Sequence, residues 1–133
     1  MKNHPQSGSV LLEALISILI FAFGVLALFG MQAVAMKNMS QSNYRATAVY
    51  LASQLIGSAQ GDINHLATYQ YTGGTPNAKI DPWLAEVTAA LPQAGAVVDV
   101  DSANSSLTVT VSWQAPGDSV SHQHTVSTYV AYN

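Results

Sequence analysis

An apolar run from Val10 to about Met36, broken near its start by a single acid at Glu13, constrains this chain more than any other feature. The run is roughly 27 residues long, more than the ~20 that cross a bilayer as a helix. Lys2 and Glu13 are the only charged side chains among the first 36 residues. A carboxylate in hydrocarbon costs about 2.5–3.5 kcal/mol on insertion scales, so Glu13 needs a physical reason for its position. Two are available. The carboxylate either lies near the headgroups, protonated or snorkelling, or meets a partner of opposite charge.

Three readings of the segment follow. A secretory signal peptide would use the Ala33-Val34-Ala35 site. The apolar run ahead of that site is about twice the usual 7–15 residues, however, and it contains an acid. A plain single-pass anchor explains the length and leaves Glu13 unexplained. Flanking charge does not orient such an anchor, because Lys2 precedes the run while Lys37 and Arg45 follow it. The third reading uses the boundary itself. A short polar leader, residues 1–8, ends in Gly8, and an apolar helix starts at once with Ser9-Val10-Leu11-Leu12-Glu13. Cleavage after Gly8 makes Ser9 the first residue of the mature chain and Glu13 the fifth.

This arrangement resembles the class III signal of type IV prepilins. The stretch LLEALISILIFAFGVLALFGMQ, with Leu-Leu-Glu and Gly24-x-Leu-x-Leu-x-Gly30-x-Gln32, is similar to the PilV-type minor pilins. Trp83, Leu91-Pro92, Gly95 and the Val-x-Trp of Val111–Trp113 are similar to that group as well. The resemblance implies cleavage between Gly8 and Ser9 by a prepilin peptidase and N-methylation at Ser9. It also implies a role in assembly for Glu13, whose carboxylate would meet the amino terminus of a neighbouring subunit. Pairing offsets much of the desolvation of either charge and selects one register. The chain departs from major pilins in three places. Ser9 stands where phenylalanine or methionine is usual, Gly30 stands where a proline is common, and the C-terminal cysteine pair is missing. The last two favour a minor subunit.

Helical periodicity continues beyond the apolar run. Tyr44, Ala48, Leu51 and Leu55 share a face, and no proline appears until Pro76, so one helix is predicted from about Val10 to a C-cap near Gly57. At 1.5 Å per residue that is roughly 70 Å, enough for a half in lipid and a half that supports a domain outside. Gly24 and Gly30 are candidate points of helix flexibility and also permit close helix contact. Residues 58–79 read as loop, centred on Thr72-Gly73-Gly74-Thr75-Pro76-Asn77. A short helix is predicted over 82–91, with Asp81 as its cap, Pro82 at its first position and Pro92 as its stop. Two-residue alternation then predicts strands over 96–101, 106–114 and 125–131, joined as an antiparallel meander.

The predicted fold class is α+β. A long N-terminal helix, apolar in its first half and amphipathic in its second, packs on a small antiparallel sheet, the layout the pilin resemblance implies. The expected organisation is a leader at 1–8, a membrane or filament-core segment at 9–36 and a periplasmic head at 37–133. A domain of this size with one small sheet is marginal alone and needs the amphipathic half-helix across its apolar face.

Other chemistries have less support. The four basic residues, Lys2, Lys37, Arg45 and Lys79, are scattered in a chain of net charge −3, so no nucleic-acid contact is expected. No cysteine is present, which excludes disulfides and thiolate metal sites. His122-x-His124 lacks a third ligand, and Asp99-x-Asp101 with Asn104 lacks the terminal acid of a calcium loop, so no metal site is assigned. No phosphate loop, nucleophile elbow or triad stands out. Neither a cofactor nor enzymatic activity is expected. The implied partners are other minor pilins and the major pilin, the prepilin peptidase/methyltransferase, and inner-membrane lipid before assembly. The rival readings are a minor pseudopilin of a type II secretion system and an uncleaved anchor carrying a small binding domain.

Overall fold

The computed structural model describes residues 7–130, so most of the expected leader and the last residue of the expected third strand lie outside the described residues. The chain divides into two units, Met1–Ser40 and Gln41–Asn133. One helix, α1 (Ser7–Gln60), supplies the described part of the first unit and the opening of the second. It starts earlier than predicted, taking in Gly8 and Ser9. It also passes through Gly57, which is therefore an interior residue and not the C-cap. The helix ends where the Gly61 amide bonds the Gly57 carbonyl at 3.2 Å. Gly24 and Gly30 both lie within the continuous α-helix.

From Gly8 to Ser40 no residue of α1 is buried within the chain, and large apolar side chains such as Leu12, Phe21 and Met31 are 61–72% exposed. This part of the helix is long and apolar enough to cross a membrane.

The second unit has its own core. Ala48, Leu51, Ala52, Leu55 and Ala59 lie on one face of α1 and are fully or almost fully buried. Tyr44 packs against them as a partly buried residue. The spacing is that of a helical stripe, as the periodicity predicts. Opposite it stands a three-stranded antiparallel sheet in the order β1 (Gly95–Asp101), β2 (Ser106–Trp113), β3 (His122–Tyr129). Register pairs Val98 with Val109 and Val109 with Val126, which brings the apolar sides of all three strands to one face. In β2, Leu107, Val109, Val111 and Trp113 point inward and are buried, as the alternation predicts. The third strand begins three residues before its predicted start, so His122 and His124 are strand residues on the inner side. Gly95 lies close to the paired strand: a Cβ there would come within 2.8 Å of Ser112 Oγ, so that hydroxyl would have to turn away.

Two details of the loop region depart from expectation. Residues 63–69 form short 3₁₀ turns, η1 (Ile63–Tyr69), joined across a kink at His65, where only loop was predicted. The short helix α2 spans Asp81–Ala90 with Pro82 in its first turn, one residue earlier than expected. Its cap is also different. Asn77 serves the helix start, its side-chain oxygen accepting from Lys79 N and Ile80 N and its carbonyl from Ile80 N and Asp81 N, so Asp81 is a first-turn acid and not the cap. Trp83 and Val87 bury the inner face of α2, and Trp83 Nε1 donates to the Leu51 carbonyl of α1 at 2.9 Å.

Truncating Leu51, which is 1% exposed, is expected to cost about 2–5 kcal/mol. Trp83→Phe, which removes the hydrogen bond to the Leu51 carbonyl while that carbonyl stays bonded within α1, should cost about 0.5–1.5 kcal/mol. Denaturant unfolding followed by the remaining tryptophan fluorescence measures both.

Candidate functional site

The residues singled out from the sequence, Gly8, Ser9, Glu13, Gly24 and Gly30, all fall on the exposed part of α1. Gly8 and Ser9 are the second and third residues of α1 (Ser7–Gln60). Glu13 follows one turn later. Ser17 Oγ donates to the Glu13 main-chain carbonyl at 2.8 Å. Among the described residues, nothing bonds the Glu13 carboxylate. The acid is therefore exposed, near one end of an apolar helix, and unpaired within the described chain.

The two glycines have the same character. A Cβ built at Gly24 or at Gly30 meets nothing within 4 Å. Among the described residues no contact requires glycine at either place. Gly30 also lines a shallow apolar depression with Ala27, Met31, Val34, Ala35 and Asn38. Small residues that no intrachain contact needs are the kind that let a second helix approach closely.

Two polar clusters in the second unit were not legible from the sequence. In the first, Gln41 of α1 donates from Nε2 to Asp118 Oδ2 at 2.9 Å and lies 2.8 Å from His122 Nε2. The second contact is a hydrogen bond when His122 carries its proton on Nδ1, leaving Nε2 to accept. His122 Nε2 is also 3.3 Å from Asp118 Oδ2, and its ring stacks on Trp113 with centroids 6.0 Å apart. Trp113 Nε1 is buried and has no hydrogen-bond partner among the described residues. The cluster ties the β2–β3 loop to α1. A separation of 77 residues between Gln41 and Asp118 leaves no local signal for it.

In the second cluster, Asp62 accepts from His65 Nδ1 at 2.7 Å and from Lys79 Nζ, and Lys79 lies over the Tyr69 ring at 5.8 Å. The hydrogen bonds from Lys79 and then from His65 hold the Asp62 carboxyl below its ordinary value, and the same Asp62 contact raises Lys79. Burial pushes the Tyr69 phenol up. The turn between β1 and β2 closes on Asp101, which accepts from Ala103 N, Asn104 N and Asn104 Nδ2; the Asn104 bonds hold its carboxyl low. Asp101 and Asn104 thus satisfy each other and the turn. His124 lies on β3 two residues beyond His122. Among the described residues, no group of three or more His, Asp or Glu side chains is placed to hold a metal ion.

Comparison with protein-family models, with curated proteins and with solved structures gives no match. The geometry defines a class: an α+β chain with a long N-terminal helix, apolar in its first part, and a small antiparallel sheet.

Asp62 generates an acid-dependent term. Its carboxyl is depressed from 3.8 in the native chain, so its stabilisation is complete above that pH and fades as the pH falls through the lower native value. Lys79→Met should shrink that acid limb of the stability curve. The raised Lys79 adds a second limb, lost as the pH rises beyond 10.5 through the native value. Thermal unfolding of both chains across pH 2–12 tests the pair.

Proposed function

We propose that this chain is a PilV-type minor pilin: a prepilin held in the inner membrane, cut between Gly8 and Ser9, methylated at Ser9 and inserted into a type IV pilus. In this reading it initiates assembly and takes a place in the filament, with no catalytic role of its own. The observation that carries the proposal is the Glu13 carboxylate, unpaired among the described residues one turn into a helix whose apolar side chains are exposed. Such a helix needs either lipid or other helices around it, and the acid needs a cation.

The proposal gives each feature a task. Before assembly, lipid covers the apolar side chains from Val10 to Met36, and the sheet-bearing unit lies in the periplasm. Peptidase action requires the first turn of α1 to open around the Gly8–Ser9 bond. Opening is inexpensive at a helix start, where the amides are not bonded along the helix. Cleavage creates a cation at Ser9, four residues from Glu13 along the same chain. On assembly, the Ser9 amine of one subunit meets Glu13 of the next, and the apolar helices replace lipid with each other. Gly24, Gly30 and Ala27 allow close approach at the helix–helix contact. The contacts are heterologous, which generates an open helical array instead of a closed ring.

Mass spectrometry of the mature protein tests the processing step directly. A chain beginning at methylated Ser9 supports the proposal, a chain beginning at Met36 supports secretion, and an intact Met1 supports a simple anchor. Glu13→Ala is expected to reduce recovery in sheared filaments by roughly an order of magnitude, the effect of leaving a charge unpaired at the register-setting contact. Its amount in the membrane should not change. Co-purifying partners separate a pilus from a type II secretion pseudopilus.

A further inference from the structure

The two edges of the sheet are treated differently. The β1 edge is covered: Tyr71 and Val98 exchange main-chain hydrogen bonds at 2.8 and 2.6 Å. Gln70 then accepts from Val100 N at 2.6 Å and donates to Asp99 at 3.2 Å. Asp99 and Asp101 add charge there. The β3 edge has none of these devices. Among the described residues nothing pairs with it. The sequence HQHTVSTY contains no Lys, Pro, Asp or Glu, and its register with β2 runs unbroken for the whole strand. Edges without such protection invite pairing with another strand.

The hydrogen-bond phase shows which groups are on offer. Because Val98 turns its N–H and C=O toward Tyr71, the neighbouring β1 residues bond β2, and the alternation carries across the sheet. Val130 N bonding Ser105 O at 2.7 Å agrees with the same phase. Consequently His122, His124, Val126 and Thr128 bond β2. Gln123, Thr125, Ser127 and Tyr129 direct their N–H and C=O groups to the open edge, and their side chains are exposed.

We propose that β3 pairs antiparallel with β3 of a second copy of this chain, about a two-fold axis through Val126. The strand is self-complementary in that register. Opposite residues in an antiparallel pair share a face, so the two sheets join with matched faces only when the axis passes through a residue. With the axis at Val126, Thr125 lies opposite the partner's Ser127, Gln123 opposite the partner's Tyr129 and His124 opposite the partner's Thr128. Every outward N–H and C=O finds an acceptor or donor. Moving the axis to Thr125 leaves Tyr129 outside the ladder. Hydroxyl faces hydroxyl on the outer side, repeating the chemistry already present within the sheet, where Thr110 bonds Thr125 at 3.0 Å and Thr108 bonds Ser127 at 2.9 Å. No carboxylate, Lys or Arg on either strand opposes the approach. The pairing is independent of the pilin proposal, since it uses none of the apolar helix.

Absence of cysteine makes the test direct. Full-length Thr125→Cys and Ser127→Cys chains, separately and mixed, are oxidised in detergent micelles and resolved without reductant. Both positions are exposed, so folding is not at stake. The mixture should form a disulfide-linked dimer, because directly opposite Cα atoms lie about 5.5 Å apart in a hydrogen-bonded pair. Either chain alone should not, because its copies are offset by two residues and exceed the ~7 Å limit. Val126→Cys should cross-link to itself, and adding Ser127→Pro, which removes an outward N–H and leaves the β2 ladder, should lower that yield about tenfold. The proposal is overturned by no dimer in any case, by Thr125→Cys alone matching the mixture, by Ser127→Pro leaving the yield unchanged, or by capture of a different protein at Val126→Cys.

Discussion

The second unit depends on one contact, the apolar stripe of α1 against the inner face of the sheet. Ala48, Leu51, Ala52, Leu55 and Ala59 alternate small and medium side chains, and they share one buried cluster with Leu107, Val109 and Val111 of the sheet. At about 25 cal/mol per Å² of apolar area removed from water, this shared surface is the main term holding a three-stranded sheet that is marginal alone. The Trp83 indole adds a directional element, since its N–H fixes α2 against one carbonyl of α1.

Physically, the two parts of α1 address different surroundings with one backbone. From Gln41 onward the helix alternates buried and exposed positions, the pattern of a segment with water on one side. Before Ser40 it has almost no such pattern, and its leucines and phenylalanines are uncovered nearly all round. A helix apolar on all sides is stable only in lipid or within a bundle of similar helices. The structure therefore contains a core that the chain completes by itself and an apolar surface that it does not complete.

Much of this was legible in the sequence because it rests on short-range periodicity. The stripe at Ala48, Leu51 and Leu55 and the alternation from Leu107 to Trp113 were readable at 3.6- and 2-residue spacing and hold in the structure. Errors occurred where local signals compete. Gly57 reads as a stop, yet α1 continues because Ala59 is drawn into the core. Asp81 reads as a cap, yet the cap position falls on Ile80, and Asn77 bonds the Lys79, Ile80 and Asp81 amides leading into the helix. The η1 helix was missed although Ile63, Leu66 and Tyr69 repeat every third residue, the spacing of 3₁₀ structure. The Gln41–Asp118–His122 cluster had no readable signal, since it arises only after the chain has folded back on itself.

The outer face of the sheet carries a further consequence. Thr108, Thr110, Thr125 and Ser127 form hydrogen-bonded hydroxyl pairs across β2 and β3, with Gln123 on the same side of β3. Over β2 and β3 this face meets water through neutral groups, while the exposed Asp99 and Asp101 carboxylates lie on its β1 side. Hydration of the β2–β3 side therefore responds less to ionic strength or acidity than that of the β1 side, where the field of the carboxylates collapses within a Debye length of about 8 Å at physiological salt. A protein whose surroundings pass from one ionic medium to another would keep its coat of water at the β3 side while that over β1 changed.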